Sequence, residues 1–467
     1  MNNYNTLYNK KEQPIDRILR PFQEFVNAEV SGGIVLIGAV ILALIIANSP
    51  LKDQYFSLWL TKFSISFGDS FTISKDLIHW INDGIMALFF LLVGLEIKRE
   101  VLVGELASVD KALLPIVSAI GGMTVPALIY ILFNSSTEWV NAWAVPMATD
   151  IAFSLGILVL LGKRVPASLK IFLASFAIVD DIGAILIIAI FYTEKLLLDY
   201  LLVVFLLLVL LIAYNLLGGK NLLFYLLIGV LIWFFILKSG LHATIAGILL
   251  AMTIPATKNL DITEFTKQAK YYFDSLSFEN HNIHLVEEIH HSALKDLEHL
   301  CNTTETPLQR LEHSLAPWVA FLIIPIFAFA NAGVDLSLIL NAMPINELFT
   351  HPVFLGIMFG LVIGNPIGIN LFIHASRRLG IVKLPDKVNW IHVLGISSLA
   401  GVGFTMSHFI ASLSFTSPSD ILVLNVARFV ILIASAISGL IGFTILFFSE
   451  KLNDEFSKKR RNSIISR

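Results

Sequence analysis

The chain has 467 residues, a formal net charge of −3, 56% hydrophobic and 14% charged residues, and a mean hydropathy of +0.79. An ordinary soluble domain carries about 25% charged residues, so this composition excludes one and places the chain in a lipid bilayer. A membrane protein sorts its charge by side, so the net value names no partner and gives no ground for nucleic-acid binding, and the single cysteine, Cys301, excludes an internal disulfide.

Residues 1–29 are too long and polar for a signal peptide and should stay attached as a cytoplasmic segment. Within them Ile15, Ile18, Leu19, Phe22, Phe25 and Val26 keep helical spacing between Asp16, Arg17, Arg20 and Glu24, which predicts an interfacial helix on the inner leaflet. A helix crosses about 30 Å of hydrocarbon in roughly 20 apolar residues. That window predicts spans near 30–48, 77–97, 112–133, 142–162, 169–193, 199–217, 221–238, 240–255, 317–335, 353–374, 391–413 and 423–448. The seventh and eighth are separated at Lys238-Ser239-Gly240. The expected fold is therefore an all-α polytopic membrane protein of about twelve transmembrane helices, with helices 1–8 over 30–255 and helices 9–12 over 317–448.

Lys and Arg then set the orientation. With a cytoplasmic N-terminus, 26 of the 32 basic residues fall on its side, five fall opposite, and Arg428 lies within the last span. Cytoplasmic loops are enriched in these residues, so both termini, including the basic tail 449–467, are expected inside. The polar segment 256–316 then forms a cytoplasmic insertion. Leu285, Ile289, Leu294, Leu297 and Leu300 roughly follow one helical face, and His281, His284, His290, His291, His299 and His313 crowd the same stretch. A solvated His-rich helix explains them, and a metal site or a sensor of internal pH is the sharper alternative.

Asp180 and Asp181 lie in an apolar run, residues 171–192, in which no other residue is charged at neutral pH. A carboxylate at the bilayer centre costs roughly 3 kcal/mol on insertion scales, so intramembrane acids usually mark ion or proton pathways. About 100° separates neighbouring side chains on a helix, so the two need not face the same ion. Thr149 and Asp150 lie mid-span just after Pro146, which removes a backbone donor and interrupts the helix. A second interrupted stretch, Gly401-Val-Gly403-Phe-Thr405-Met-Ser407, is rich in glycine and hydroxyls. Transporters build midplane ion sites from such broken helices in corresponding halves, here 112–193 and 353–448, and close packing through small residues explains the glycines as well. Carboxylates and hydroxyls suit a hard cation such as sodium or lithium. Burial and like-charge proximity disfavour the ionised acids, so protons and cations are expected to compete for Asp150, Asp180 and Asp181, with exchange following from one-sided access.

Several stretches resemble signatures of bacterial NhaA-type sodium/proton antiporters: Ala148-Thr-Asp-Ile-Ala-Phe153, Val179-Asp-Asp-Ile-Gly-Ala184, Phe327-Ala-Phe-Ala-Asn-Ala-Gly-Val334 and Gly401-Val-Gly-Phe-Thr-Met-Ser407. Trp80-Ile-Asn-Asp83, Phe89 through Glu100 and Lys238-Ser-Gly-Leu-His242-Ala-Thr also match, so the likeness covers roughly residues 30–450. It implies an inverted-repeat fold in which interrupted helices four and eleven cross. It implies a Na+ site at Asp150 and Asp181 lined by Thr149, proton coupling through Asp180 and Asp181, and no cofactor or enzymatic reaction. Regulation by pH is implied for Glu96, Arg99, Glu100, Glu312 and His313, with His242 and Asp83 more peripheral, although salt bridges and helix packing explain the same residues. A homodimer in the bacterial inner membrane is implied too, with 49–76 as the candidate contact. One departure concerns the site: Gly364-Asn365-Pro366 stands where the family has Gly-Lys-Pro, so a neutral amide replaces the cation expected to pair with the Asp180 position, and either the operating pH shifts upward or the exchange ratio changes, or Asn365 hydrogen-bonds to protonated Asp180 instead.

Other readings are an aspartyl protease, a passive cation channel, a sodium-coupled solute symporter, and an antiporter preferring K+. The protease is disfavoured because no Gly-x-Gly-Asp sequence occurs. Proton flux driven by added Na+ in sealed vesicles separates an antiporter from the channel and the symporter.

Overall fold

A computed structural model describes residues 31–67, 71–193, 196–257, 262–275, 295–297, 300, 305–385 and 388–449. The interfacial helix expected before residue 30, the basic tail, and His281, His284, His290, His291 and His299 lie outside the described residues. The chain divides into two compact units, one of residues 1–59, 113–180 and 324–467, the other of 60–112 and 181–323.

Among the described residues nine helices are long and apolar enough to cross a membrane, or up to eleven if each of two bent pairs is one span. The bilayer as solvent explains their surfaces. Leu132, Leu202 and Leu216 are exposed on their helices, as expected where lipid replaces water and backbone polar groups must pair within the helix.

The order long helix, broken helix, long helix occurs twice, with the halves of both breaks in the first unit and the end of Ala167–Phe191 in the second. Val109–Asn134 precedes one break and Ala167–Phe191 follows it, while Pro352–Arg378 and Ile421–Phe447 flank the other. Gly121 and Gly368 let two of these helices meet, since a Cβ on either would strike the other's carbonyl oxygen. Leu158, Phe172, Phe176, Ile369, Ile396, Leu399 and Leu446 fill the core.

The first span, Ser31–Ala47, turns by 112° into the Lys52–Leu60 helix. That helix is fastened to the segment after Asn331. Asn48 donates to Val334 O at 2.8 Å, Lys52 pairs with Asp335 at 2.7 Å, and Tyr55 donates to Phe329 O at 2.5 Å. Gly333 accommodates the Tyr55 ring, which a Cβ there would overlap. The G333L variant is therefore expected to detach this helix and lower the thermal midpoint of the purified protein, and an unchanged midpoint would count against the clamp.

The second unit contains an antiparallel hairpin, Lys62–Phe67 with Phe71–Asp76, in the register Ser64↔Ser74 and Ile65↔Ile73. The expected loop over 49–76 is therefore a helix plus a hairpin, and the all-α fold carries one small sheet. The period-two alternation Phe63-Ser-Ile-Ser-Phe67 was its signal, masked by a window tuned to helices. The predicted eighth span is also shorter than expected. The break at Gly240 is present, with φ at 89°, but the helix that follows runs only from Ile245 to Thr253, about 14 Å at 1.5 Å per residue. Leu241 to Thr244 are apolar enough to extend the window yet form turns, with Ile245 N donating to His242 O at 3.1 Å. Lys98 closes the helix by donating to the carbonyls of Met252 at 2.7 Å and Ile254 at 2.5 Å, a cation on free C-terminal acceptors. Gly94 and Gly247 make the close contact between this helix and Met86–Val103.

Candidate functional site: two broken helices

Pro146 lies in a 3-10 turn, Glu138–Met147, after which Ala148 and Asp150 are extended and the helix resumes at Ile151. The second break separates Trp390–Ala400 from Phe404–Ser414, bent by 42°. Each break frees backbone donors and acceptors that water cannot reach, so partners must come from protein. They come from the other break. Asp150 N donates to Val402 O at 2.7 Å, Thr149 Oγ1 to Ala400 O at 2.9 Å, Ser154 Oγ to Leu399 O at 2.9 Å, and Ser407 Oγ to Val145 O at 2.8 Å. Gly403 is required by this approach, because a Cβ would meet the Ala148 carbonyl oxygen, and Gly401 by the neighbouring turn Gly360–Gly364, whose Leu361 carbonyl oxygen a Cβ would meet. Close packing and the broken helix, alternatives in the sequence, are thus one feature.

Asp150 caps both resumed helices. Its Oδ1 accepts from Phe153 N at 3.0 Å, and its Oδ2 accepts from Thr405 N at 3.0 Å and Thr405 Oγ1 at 2.6 Å. A carboxylate between two helix N-termini is favoured by both dipoles and by the free N–H groups it pairs. The T405V variant removes one bond to a charged group and is expected to cost roughly 1.5–3 kcal/mol of stability; an unaltered thermal midpoint would contradict this.

Asp180 is buried at the middle of Ala167–Phe191, and its Oδ2 accepts from Thr149 N at 2.9 Å. The break thus gathers Thr149, Asp150, Asp180 and Thr405 within one unit. Asp181, also buried, begins the second unit. Asn365 opens the helix Asn365–Arg378 directly after a π-helical turn, Gly360–Gly364. Its Nδ2 donates to Pro146 O at 3.4 Å, so the amide is tied to the first break. Arg428, alone among charges in its span, donates to Asn331 Oδ1 at 3.3 Å.

The charged residues suggested for pH regulation all belong to the second unit. Arg99 lies 3.3 Å from Glu312 and 3.2 Å from Glu100, while Glu96 is within electrostatic reach of all three. His313 is exposed, 3.9 Å from Glu305. His242 lies at the start of the short helix whose end Lys98 caps, 2.7 Å from Tyr192 O and near Asp83. The structure therefore joins Glu96, Arg99, Glu100 and Glu312, and sets His242 with Asp83 at the other end of that helix. Sequence reasoning missed Lys98 as a helix cap and Ser154 as a partner across the breaks. Helical spacing from Asp150 was the only hint of Ser154.

The family model described as Na+/H+ antiporter 1 matches residues 23–446. A relative named Na(+)/H(+) antiporter NhaA from Oleidesulfovibrio alaskensis is 48% identical, covering 93% of this chain and 95% of its own length. Na(+)/H(+) antiporter NhaA 2 from Syntrophotalea carbinolica is 48% identical over 91% and 96%, and the Helicobacter pylori protein named Na(+)/H(+) antiporter NhaA is 44% identical over 92% and 95%. Matched along nearly its whole length, this multi-pass membrane protein belongs to the Na+/H+ antiporter 1 family.

Proposed function

We propose that the chain exchanges Na+ or Li+ for H+ by alternating access in the bacterial inner membrane, exporting the cation at the expense of the proton gradient. The observation that carries this reading is the crossing of two interrupted segments on buried carboxylates. Asp150 and Asp181 hold the cation beside Thr149, and Asp180 with Asp181 carries protons, so ion and proton compete for the same oxygen anions. Both termini face the cytoplasm, as the 26 basic residues on that side favour. The Glu96, Arg99, Glu100 and Glu312 cluster, with His313 and His242 farther out, tunes activity to internal pH. A homodimer forms through the hairpin Lys62–Asp76, whose exposed Phe63 and Ile65 fit an apolar contact.

The test uses purified protein in sealed vesicles holding a preformed pH gradient. Added Na+ or Li+ should collapse it and K+ should do so least. A gradient that persists under all three rejects the proposal, and collapse by K+ alone selects the other cation preference. In the same assay N365K is expected to move half-maximal transport to lower pH, since an ammonium beside Asp180 stabilises its ionised form. An unchanged profile would remove Asn365 from proton coupling.

A further inference from the structure

Near the crossing of the breaks three buried atoms, Asp180 Oδ1, Asn365 Oδ1 and Ser438 Oγ, have no hydrogen-bond partner among the described residues, and the first two can be related. Asp150 accepts three hydrogen bonds on its two oxygens, two of them from the second break. Its carboxylate thus also ties the two helix ends together. Asp180 Oδ1 and Asn365 Oδ1 are buried and have no hydrogen-bond partner among the described residues, in side chains 1% and 0% exposed. Both side chains are anchored through their other atom to one four-residue stretch: Asp180 Oδ2 on Thr149 N at 2.9 Å, Asn365 Nδ2 on Pro146 O at 3.4 Å. The second anchor fixes the amide, because Pro146 O accepts only and must face the NH2 group. The free atom is therefore the oxygen.

Two buried, unpaired acceptors are costly to leave, and a metal cation offers what both lack. Uncharged amide oxygens are ordinary ligands of hard cations, alongside carboxylates. We infer that Asn365 Oδ1, together with Asp180 Oδ1, is an oxygen ligand of the transported monovalent cation. The inference rests on the proposed exchange of Na+ or Li+. It assigns Asn365 to cation binding and to selectivity, while much of Asp150's bonding capacity goes to the two helix ends. A side chain presenting carbon at position 365 should weaken the cation, and one presenting a second oxygen should not.

Purified full-length protein is titrated with NaCl and LiCl by calorimetry, and half-saturating cation concentrations are measured in sealed vesicles. The N365L variant should raise the half-saturating Na+ concentration about tenfold or more, as expected for one lost ligand, with a changed Na+/Li+ ratio. The N365D variant keeps an oxygen but loses the donor to Pro146 O, and should bind more tightly than the parent. Parental affinity in N365L, or equal weakening in N365L and N365D, overturns the inference, the second result assigning Asn365 to the Pro146 contact. Where N365L does not fold, N365D decides: tighter binding than the parent supports the inference, and unchanged or weaker binding overturns it. Failure of the exchange reading is separately visible, because the parent itself would then move no protons on cation addition.

Discussion

The double variant D150N/D181N should lose cation-driven proton movement by at least about a hundredfold, near 2.7 kcal/mol in the barrier to exchange. Both substitutions remove an anion that the proposed mechanism gives alternately to a proton and an alkali ion. The two single variants should differ in kind. At position 150 the amide nitrogen would point a donor either at Phe153 N or at Thr405 N, both donors only, while the Thr405 hydroxyl could turn to accept. D150N is therefore expected to lower the thermal midpoint as well as transport, by roughly 1–3 kcal/mol for a charged cap replaced by a mismatched one. Should D150N/D181N exchange ions at the parental rate, the competition of proton and cation at these residues is refuted.

The other large effect lies in the backbone of the second break. The G401V variant should yield little folded protein, because its Cβ would overlap the Leu361 carbonyl oxygen, a backbone atom that cannot rotate aside, and the Ser438 hydroxyl. Overpacking at a close contact costs about 1–3 kcal/mol when side chains can adjust, and more where the obstacle is backbone. Gly156 is the internal control. It lies in the resumed helix Ile151–Leu161, and a methyl group added there would meet nothing within 4 Å, so G156A should be neutral or stabilising by up to about 1 kcal/mol. Thermal melts of both in detergent check the pair, and equal midpoints for G401V and the parent would show that the approach to Leu361 is not tight.

Much of the architecture was legible because a bilayer imposes a single length scale on apolar runs. The helices Ser31–Ala47, Ala167–Phe191, Leu198–Leu216 and Ile421–Phe447 start and stop close to the predicted limits. The same length scale misread Leu241–Thr244 as helix and overlooked the hairpin, since hydropathy averaging erases both turns and period two. Pro146 and the glycine pair marked both breaks, since proline removes a donor and glycine admits a close neighbour wherever they occur.

By itself the sequence determined that the chain spans a membrane, that acids lie within its spans, where two helices break, and which family the motifs resemble. Those properties belong to local composition and chain spacing. Only the tertiary structure decided that the breaks satisfy each other's backbone, that Asp150 caps two helices at once, that Asp180 and Asn365 keep oxygens unpaired among the described residues, and that Lys98 closes a short helix. Each of these is a hydrogen bond, or its absence, between residues far apart in the chain. Such pairing depends on how helices pack, which neither the period nor the hydropathy of any one segment encodes.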